Sequence, residues 1–409
     1  MIYRLEIENF YCIRERQVLD LTVPRTTPDN PERFAAICRG SDLRVPKVVA
    51  IYGANGSGKS TVLKALALLA WFTRDSSQNK EPRLPCEHFN DKESRKRPLR
   101  LAIELGGLME LTRSAREEAA VGNDDSFGVY RYELELATKD GAVISVNREA
   151  LRRKPAGHGK WSRVFEHRVG EKILDSKVFS LTGYTQIANK IRDNASAIST
   201  LALFGHEPSQ ILVKKIETIF SNILIDRAEM SDDAIIQYLA TDRNMVKELN
   251  KELRRIDVGL HEMKILPAQN GPMALFAHEG LLVEMPWFLE SHGTRAFIRR
   301  VPSLLAALSQ GGIAIMDELD LAFHPLVLPE IVRWFYDPER NADDAQIWMS
   351  CQSVSLMEEL MKEEIVLCEK DRQGRSQVYS LMDMKAVRRS DNLYKKYLSG
   401  VYGGIPHIG

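Results

Sequence analysis

Two stretches of this 409-residue chain place residue types at spacings that phosphate chemistry would use. The first is Gly53-Ala54-Asn55-Gly56-Ser57-Gly58-Lys59-Ser60, a full match to the pattern G-x-x-x-x-G-K-[ST]. Glycines at those places let the backbone curl until several N–H groups face one anion. A helix starting near Lys59 adds its positive dipole end. Lys59 is then placed to reach the β and γ phosphates of a nucleoside triphosphate, and the Ser60 hydroxyl to ligate Mg²⁺, with Thr61 next in line. The second stretch is Ile313-Ala314-Ile315-Met316-Asp317-Glu318, four apolar residues followed by two carboxylates. Asp317 stands where a buried strand ends, which is where ligands sit in α/β sheets, and is the candidate to hold Mg²⁺ through its water shell. Glu318, one residue on, is the candidate base that polarises an attacking water.

Three further stretches narrow the chemistry. Ser291-His292-Gly293-Thr294 precedes a helical pattern. A serine hydroxyl, a glycine N–H and a helix N-terminus together make an anion site, although the same residues also read as a plain N-cap. Asp320 falls in the loop after the acidic pair. His324-Pro325 follows, and His324 reads either as a site residue or as a hydrogen-bonded cap of the next helix. Trp348-Met349-Ser350-Cys351-Gln352-Ser353 ends another apolar run with a glutamine, which can donate to a phosphate but carries no positive charge.

These residues need strands that end where they stand. Lys47–Tyr52 is a short apolar, β-branched run of the kind found in buried parallel strands, and Ser60–Phe72 is a strongly apolar helix. Strand, loop and helix thus follow in the order a phosphate-binding unit requires. Ile2–Glu8 and Gln17–Val23 alternate as strands, and residues 24–46, with four prolines, read as a loop. Residues 73–98 are polar and charged. Short alternating runs at Leu99–Leu105, Val129–Thr138, Ala142–Glu149 and Ser162–Val169 predict an antiparallel β subdomain. Turn residues at Gly106-Gly107, Asp140-Gly141 and Gly157–Gly159 separate several of them. From Gln186 to Ile256 the period is helical, clearest at Ile211–Phe220 and Asp242–Ile256, without the sustained heptads of a coiled coil. Strands are expected at His261–Leu266 and Glu279–Met285. After them the spacing predicts a helix over Thr294–Leu308, a strand over Ile313–Met316, a helix over Leu326–Tyr336 and a strand over Gln346–Ser350. Met357–Lys362 reads as helical, and Ile365–Glu369 and Gln377–Leu381 as strands.

Composition limits the partners. Acidic and basic residues balance at 56 each, so net charge favours neither nucleic acid nor acidic ligands. Hydrophobic residues at 44% and charged residues at 27% place the chain among globular proteins. The opening residues lack a basic region followed by an apolar core, and no run of 18 apolar residues occurs. Neither a signal peptide nor a membrane span is expected. Cys12, Cys38, Cys86, Cys351 and Cys368 form no CxxC pair, which argues against a zinc site or disulfide framework and fits a reducing, cytoplasmic setting. Arg148, Arg152, Arg153 and Lys154, with Lys160, Trp161 and Arg163, read either as a solvated loop or as a phosphate contact.

In the order of its motifs the chain resembles the OLD-like and abortive-infection ATPases, the AbiL type among them, whose ABC-like heads are related to DNA-repair and chromosome-maintenance ATPases. The resemblance runs from Ile7-Glu8-Asn9-Phe10 through the glycine loop, Ser291–Thr294 and Asp317–Pro325. It continues to Glu369-Lys370-Asp371 with Gly374 and Ser376, and to Tyr397-Leu398-Ser399-Gly400-Val401-Tyr402-Gly403-Gly404-Ile405-Pro406. It implies an α/β fold: a P-loop ATPase head with a mostly parallel core sheet, an antiparallel β subdomain and a helical insertion. The implied parts are an N-terminal lobe over 1–185, the insertion over 186–260 and a C-terminal lobe over 261–409.

The resemblance also implies ATP and Mg²⁺ as cofactors, and a homodimer or higher oligomer closed around ATP. Ser291, Gly293 and Thr294 would then face the γ-phosphate of a second copy, and Asp320 would touch that copy. A separately encoded effector, a toxin or nuclease, is the implied partner in anti-phage defence, and DNA a further candidate. Gln352 stands where the family has a switch histidine, which implies slow or partner-gated turnover. A Toprim nuclease domain is not expected. Three readings follow: a sensor ATPase controlling an effector, a slow ATP-bound scaffold, and a DNA-repair or DNA-end-processing ATPase.

Overall fold

The computed structural model of the chain describes residues 1–78, 86–108, 111–112, 127–155, 159–223, 231–256, 259–321, 323–385 and 387–405. The chain opens with β1 (Ile2–Glu8), β2 (Gln17–Asp20), the short β3 (Phe34–Ala36) and β4 (Arg44–Pro46), and β5 (Val48–Tyr52). Helix α1 (Lys59–Asp75) leaves the glycine loop. Next come β6 (Leu99–Leu108), β7 (Phe127–Lys139), β8 (Ala142–Pro155) and β9 (Ser162–His167). They are followed by α2 (Thr185–Ala188), α3 (Ala197–Leu203), α4 (Glu207–Ile216), β10 (Ile219–Ser221), α5 (Asp232–Thr241) and α6 (Arg243–Ile256). Strands β11 (Leu260–Ala268), β12 (Gly271–His278) and β13 (Met285–Pro286) lead into α7 (His292–Ser309). The last elements are β14 (Ile313–Met316), α8 (Val327–Tyr336), β15 (Gln346–Ser350), β16 (Ile365–Lys370), β17 (Ser376–Ser380) and α9 (Leu393–Leu398).

The fold is α/β, built on a central sheet of order β10-β14-β15-β5-β16-β17. Its first five strands run parallel, and β17 turns back antiparallel to β16. Alternate residues of each parallel strand enter different cores. Val49, Ile51, Ile313, Ile315, Trp348 and Cys368 meet Val62, Leu63, Leu66 and Phe72 of α1. Val48, Ala50, Tyr52, Ala314, Met316, Ile347, Met349 and Leu367 meet Phe297, Val301 and Leu304 of α7 and Ile331 and Phe335 of α8. A sheet covered on both faces requires unbroken apolar runs, which is why these strands show no polar alternation.

The second sheet, β2-β1-β6-β7-β8-β9, is antiparallel throughout. Its inner face, with Leu5, Ile7, Leu101, Tyr130, Tyr132, Leu134 and Phe165, closes over α1 in the first core. Its outer face is charged, and the charges pair across the strands. Arg16 meets Glu6 at 2.7 Å, and Arg131 meets Glu6 and Glu104 at 2.8 Å each and Glu133 at 2.6 Å. Arg148 joins Glu133 at 2.6 Å to Glu166 at 3.0 Å.

Several elements differ from the sequence reading. Residues 24–46 contain the β3–β4 hairpin, with Phe34 opposite Pro46. The helix expected over Ile211–Phe220 stops at Ile216, and Ile219–Ser221 becomes β10 because the free edge of β14 lies beside it. The strand expected over Glu279–Met285 lies instead at Gly271–His278, since a two-residue turn, Gln269-Asn270, returns the chain at once from β11. Met357–Lys362 is too short for a stable α-helix, and the region forms two 3₁₀ turns, Val354–Glu358 and Lys362–Glu364. All five cysteines are free. Among the described residues no helix is long and apolar enough to cross a membrane. Gly157, His158, Ala322 and Pro406 lie outside the described residues.

Candidate functional site

The glycine loop leaves β5 at the sheet's C-terminal edge and enters α1 at Lys59. Gly53 has φ 149°, and a Cβ there would run into the Cys368 carbonyl oxygen on β16. Gly58, the residue before α1, has φ 113°, and a Cβ there would lie 2.9 Å from Ser376 Oγ and 3.1 Å from Cys12 Sγ. Close approach therefore fixes both as glycine. Lys59 Nζ donates to the Gly53 and Ala54 carbonyl oxygens, at 2.8 and 3.2 Å, which holds the ammonium over the loop it would share with phosphates.

The neighbouring parallel strands end in a row of polar residues. Asn222 follows β10, Asp317 follows β14 and Ser350 ends β15. Asn222 brackets the Asp317 backbone: Asp317 N donates to its Oδ1 at 2.7 Å, and its Nδ2 donates to the Asp317 carbonyl oxygen at 2.8 Å. Asp317 Oδ1 accepts from Ser60 Oγ at 3.0 Å and from Ser350 Oγ at 2.5 Å. The loop serine and the strand-end aspartate thus lie within hydrogen-bond distance of each other. A hydroxyl beside a carboxylate is a hard-oxygen donor set that suits Mg²⁺. Ser60 and Asp317 are the residues that could hold the ion here.

Glu318 turns sharply out of the strand. Its φ is 49°, in the left-handed region that a residue with a Cβ seldom occupies, and its side chain is exposed. Left-handed backbone at a side chain of this type is a mark of functional sites. Asp320 Oδ2 accepts from the backbone N–H groups of Gln352 and Ser353, at 2.8 and 2.5 Å. Asp320 therefore holds the Gln352 loop of its own chain.

Asn55 to Thr61, Glu318 and Gln352 line one cleft of about 1120 Å³. Other regions complete the lining, Lys370 and Gly374 among them from a stretch that the resemblance marks. Tyr11 and Cys12 follow β1, His88, Phe89 and Arg95 precede β6, Lys139 ends β7 with Asp140 next to it, Lys370 ends β16, and Gln373 and Gly374 belong to the β16–β17 turn. Thr138 Oγ1 lies 3.1 Å from His88 Nδ1, and Cys12 Sγ lies 3.2 Å from Thr61 Oγ1. Burial pushes the Tyr11 phenol and the Cys368 thiol well above their ordinary ranges, so neither adds charge near the loop.

The remaining expected residues stand outside the cleft. Ser291 caps α7: its Oγ accepts from Thr294 N at 3.1 Å and lies 2.8 Å from Thr294 Oγ1. Ser291 is exposed, Gly293 half-buried and Thr294 buried, and none lines the cleft of its own chain. His324 Nδ1 accepts from Leu326 N at 3.3 Å, a turn contact just before α8, which itself has no side-chain cap. Of the basic stretch, Arg148 is paired in the charged ladder and Lys154 lies over the Trp161 ring at 4.8 Å.

The ending of the chain also acquires a place. Tyr397 Oη donates to the Gly404 carbonyl oxygen at 2.9 Å, and Tyr379 Oη to that of Tyr402 at 2.8 Å. Gly403 and Gly404 have φ of 73° and 68°. A Cβ on Gly404 would touch the Cys368 carbonyl oxygen at 3.6 Å and Gly53 Cα at 3.8 Å. The segment therefore lies directly behind the first glycine of the loop.

No curated protein matches the chain. Among solved structures it is similar to an SMC head domain from Thermotoga maritima, at 12% identity and TM-score 0.40 over 93% of this chain and 98% of that one. It is also similar to the Smc head domain of Pyrococcus furiosus bound to the C-terminal domain of ScpA, at 13% identity and TM-score 0.39 over 98% and 99%. The Smc head domain of Pyrococcus yayanosii gives 11% identity and TM-score 0.43 over 93% and 98%. Residues 48–358, which hold the loop, Ser291–Thr294, Asp317-Glu318 and Gln352, match the family model described as "AAA domain, putative AbiEii toxin, Type IV TA system", and the chain belongs to that family.

Proposed function

We propose that this chain is an ATPase that pairs with a second copy around ATP and acts as the sensor or regulator of an anti-phage defence system with a separate effector. The observation that carries the reading is the convergence of Lys59, the Ser60–Asp317 pair, Glu318 and Gln352 at one sheet edge. Backbone N–H groups of the glycine loop and Lys59 would bind the β and γ phosphates. Ser60 and Asp317 would hold Mg²⁺, whose charge would neutralise the phosphate oxygens. Glu318 would take the proton of the attacking water. Gln352 would donate a hydrogen bond to the γ-phosphate without a positive charge, which favours slow turnover.

Ser291, Gly293 and Thr294 are unused by their own cleft, which supports a role against the nucleotide of a second copy. The family description, an AAA domain with a putative AbiEii toxin of a type IV toxin–antitoxin system, supports a place in a toxin–antitoxin setting. DNA finds less support, because Arg131 and Arg148 of the antiparallel face are bound by carboxylates.

Calorimetry and light scattering test the reading together. Lys59→Ala should weaken ATP binding at least tenfold, since charge-assisted contacts are worth roughly 1.5–3 kcal/mol each. Mg²⁺ and ATP should double the mass of the wild-type chain, and Ser291→Arg should prevent the doubling while ATP still binds. Unchanged affinity in Lys59→Ala would overturn the nucleotide site. Dimers of Ser291→Arg would overturn the shared one.

A further inference from the structure

Ser350 is the last residue of a strand whose other members are wholly buried, and it is itself 0% exposed. A hydroxyl in such a place is costly unless both its donor and its acceptor capacity are used. The register sets Met349 beside Met316, so Ser350 comes to lie beside Asp317. Glu318 N donates to Ser350 Oγ at 2.7 Å, and a backbone N–H can only donate. The hydroxyl proton is therefore directed to Asp317 Oδ1, 2.5 Å away. One side chain thus orients the carboxylate that pairs with Ser60 and anchors the amide of the next residue. That anchored amide belongs to the residue with φ 49°, whose turn carries the Glu318 carboxylate into the cleft. The Asn222 side chain, on the other flank, bonds to the Asp317 backbone.

We infer that Ser350 is a positioning residue of the proposed ATPase reaction: it aims the Asp317 carboxylate toward the metal position and keeps Glu318 turned toward the attacking water. The inference rests on the ATPase reading. Removing the hydroxyl leaves the volume nearly unchanged, but it deprives Asp317 of one donor and Glu318 N of its acceptor. Partners of this outer kind typically contribute 10- to 100-fold to metal affinity or activity.

The test compares wild type with Ser350→Ala, Ser350→Cys and Ser350→Thr by calorimetry of ATP with and without Mg²⁺, by phosphate release and by thermal melting. Ser350→Ala should bind Mg²⁺-free ATP within about twofold of wild type. It should lose about tenfold of the affinity that Mg²⁺ adds, and about 10- to 100-fold in kcat where turnover is measurable. Ser350→Thr should restore most of both losses, and Ser350→Cys part of them. Should Ser350→Ala fail to fold, the Cys variant, nearly the same size but a weak donor, carries the comparison. A Mg²⁺ increment unchanged in the variants would overturn the inference, as would an equal loss of affinity with and without Mg²⁺. A wild-type chain that binds no ATP would instead overturn the ATPase reading itself.

Discussion

The two sheets treat charge in opposite ways. On the outer face of the antiparallel sheet, Arg131 contacts three carboxylates and Arg148 two, so each charge is answered by another within the face. At the edge of the parallel sheet, Lys59 is bonded among the described residues to the Gly53 and Ala54 carbonyl oxygens, and Glu318 is exposed and lines the cleft. The first face holds strands together and has little to offer a ligand. The second keeps charges oriented by neutral groups, such as Ser350, Asn222 and backbone N–H, and so leaves them available. The difference shows that what surrounds a charged residue, more than its type, marks it as structural or chemical.

The comparison breaks if the cleft carboxylate stabilises the fold. Glu318→Gln should abolish phosphate release, a loss of about 10²- to 10⁴-fold, because an amide cannot accept the proton. Its unfolding free energy should stay within about 0.5 kcal/mol of wild type. A large loss of stability would put Glu318 with the ladder.

The converse change is Arg131→Ala, expected to cost about 3 kcal/mol in a denaturant titration while leaving ATP affinity unchanged. Its pH dependence sharpens the point. Burial works against the Glu6 carboxylate, but Arg131, Arg16 and Arg4 outweigh it and hold the group at about 2, below its ordinary 4.5. The stability this contributes is present above 4.5 and fades as the pH falls through about 2. The gap between wild type and Arg131→Ala should therefore narrow across that window. A gap that stays constant down to pH 2 would mean that Arg131 acts by packing alone.

The smallest expected effect concerns Gln352, an uncharged residue of the cleft. Asp320 fixes the backbone on which it stands, so Gln352→His changes the side chain alone. Basal phosphate release should rise about fivefold or more from one regained hydrogen bond in the transition state. Equal rates in the two proteins would show that the glutamine already makes the contact.

The glycine loop and Asp317-Glu318 were legible in the sequence because their chemistry lies in adjacent residues. Ser350 and Asn222 were harder, since each acts on Asp317 through strand register, and β10 was read as helix. A signal existed: polar residues at the ends of apolar runs, aligned by the sheet, fall at one edge. His88, Lys139 and Gln373 gave no such signal, because they reach the cleft from loops of three different regions. The parallel core was readable from its apolar runs, whereas β12 was displaced because its start depends on a tight turn. Ser291–Thr294 lies at a helix start, as its residues predict, and its contact with a second copy belongs to the proposed function.

The segment from Tyr397 to Gly404, lodged behind Gly53, has a consequence for the birth of the protein. Strand β5 emerges early, but its neighbours β15 and β16 are made only after residue 345, and the backing glycines after residue 402. At about 5–20 residues per second, a ribosome needs roughly 15 to 60 s to pass from β5 to β15. Throughout that time the nascent chain carries the complete glycine motif without the walls that shape it. Competence to bind nucleotide should therefore arrive late and abruptly during translation, so that interrupted chains hold the motif without competing for ATP.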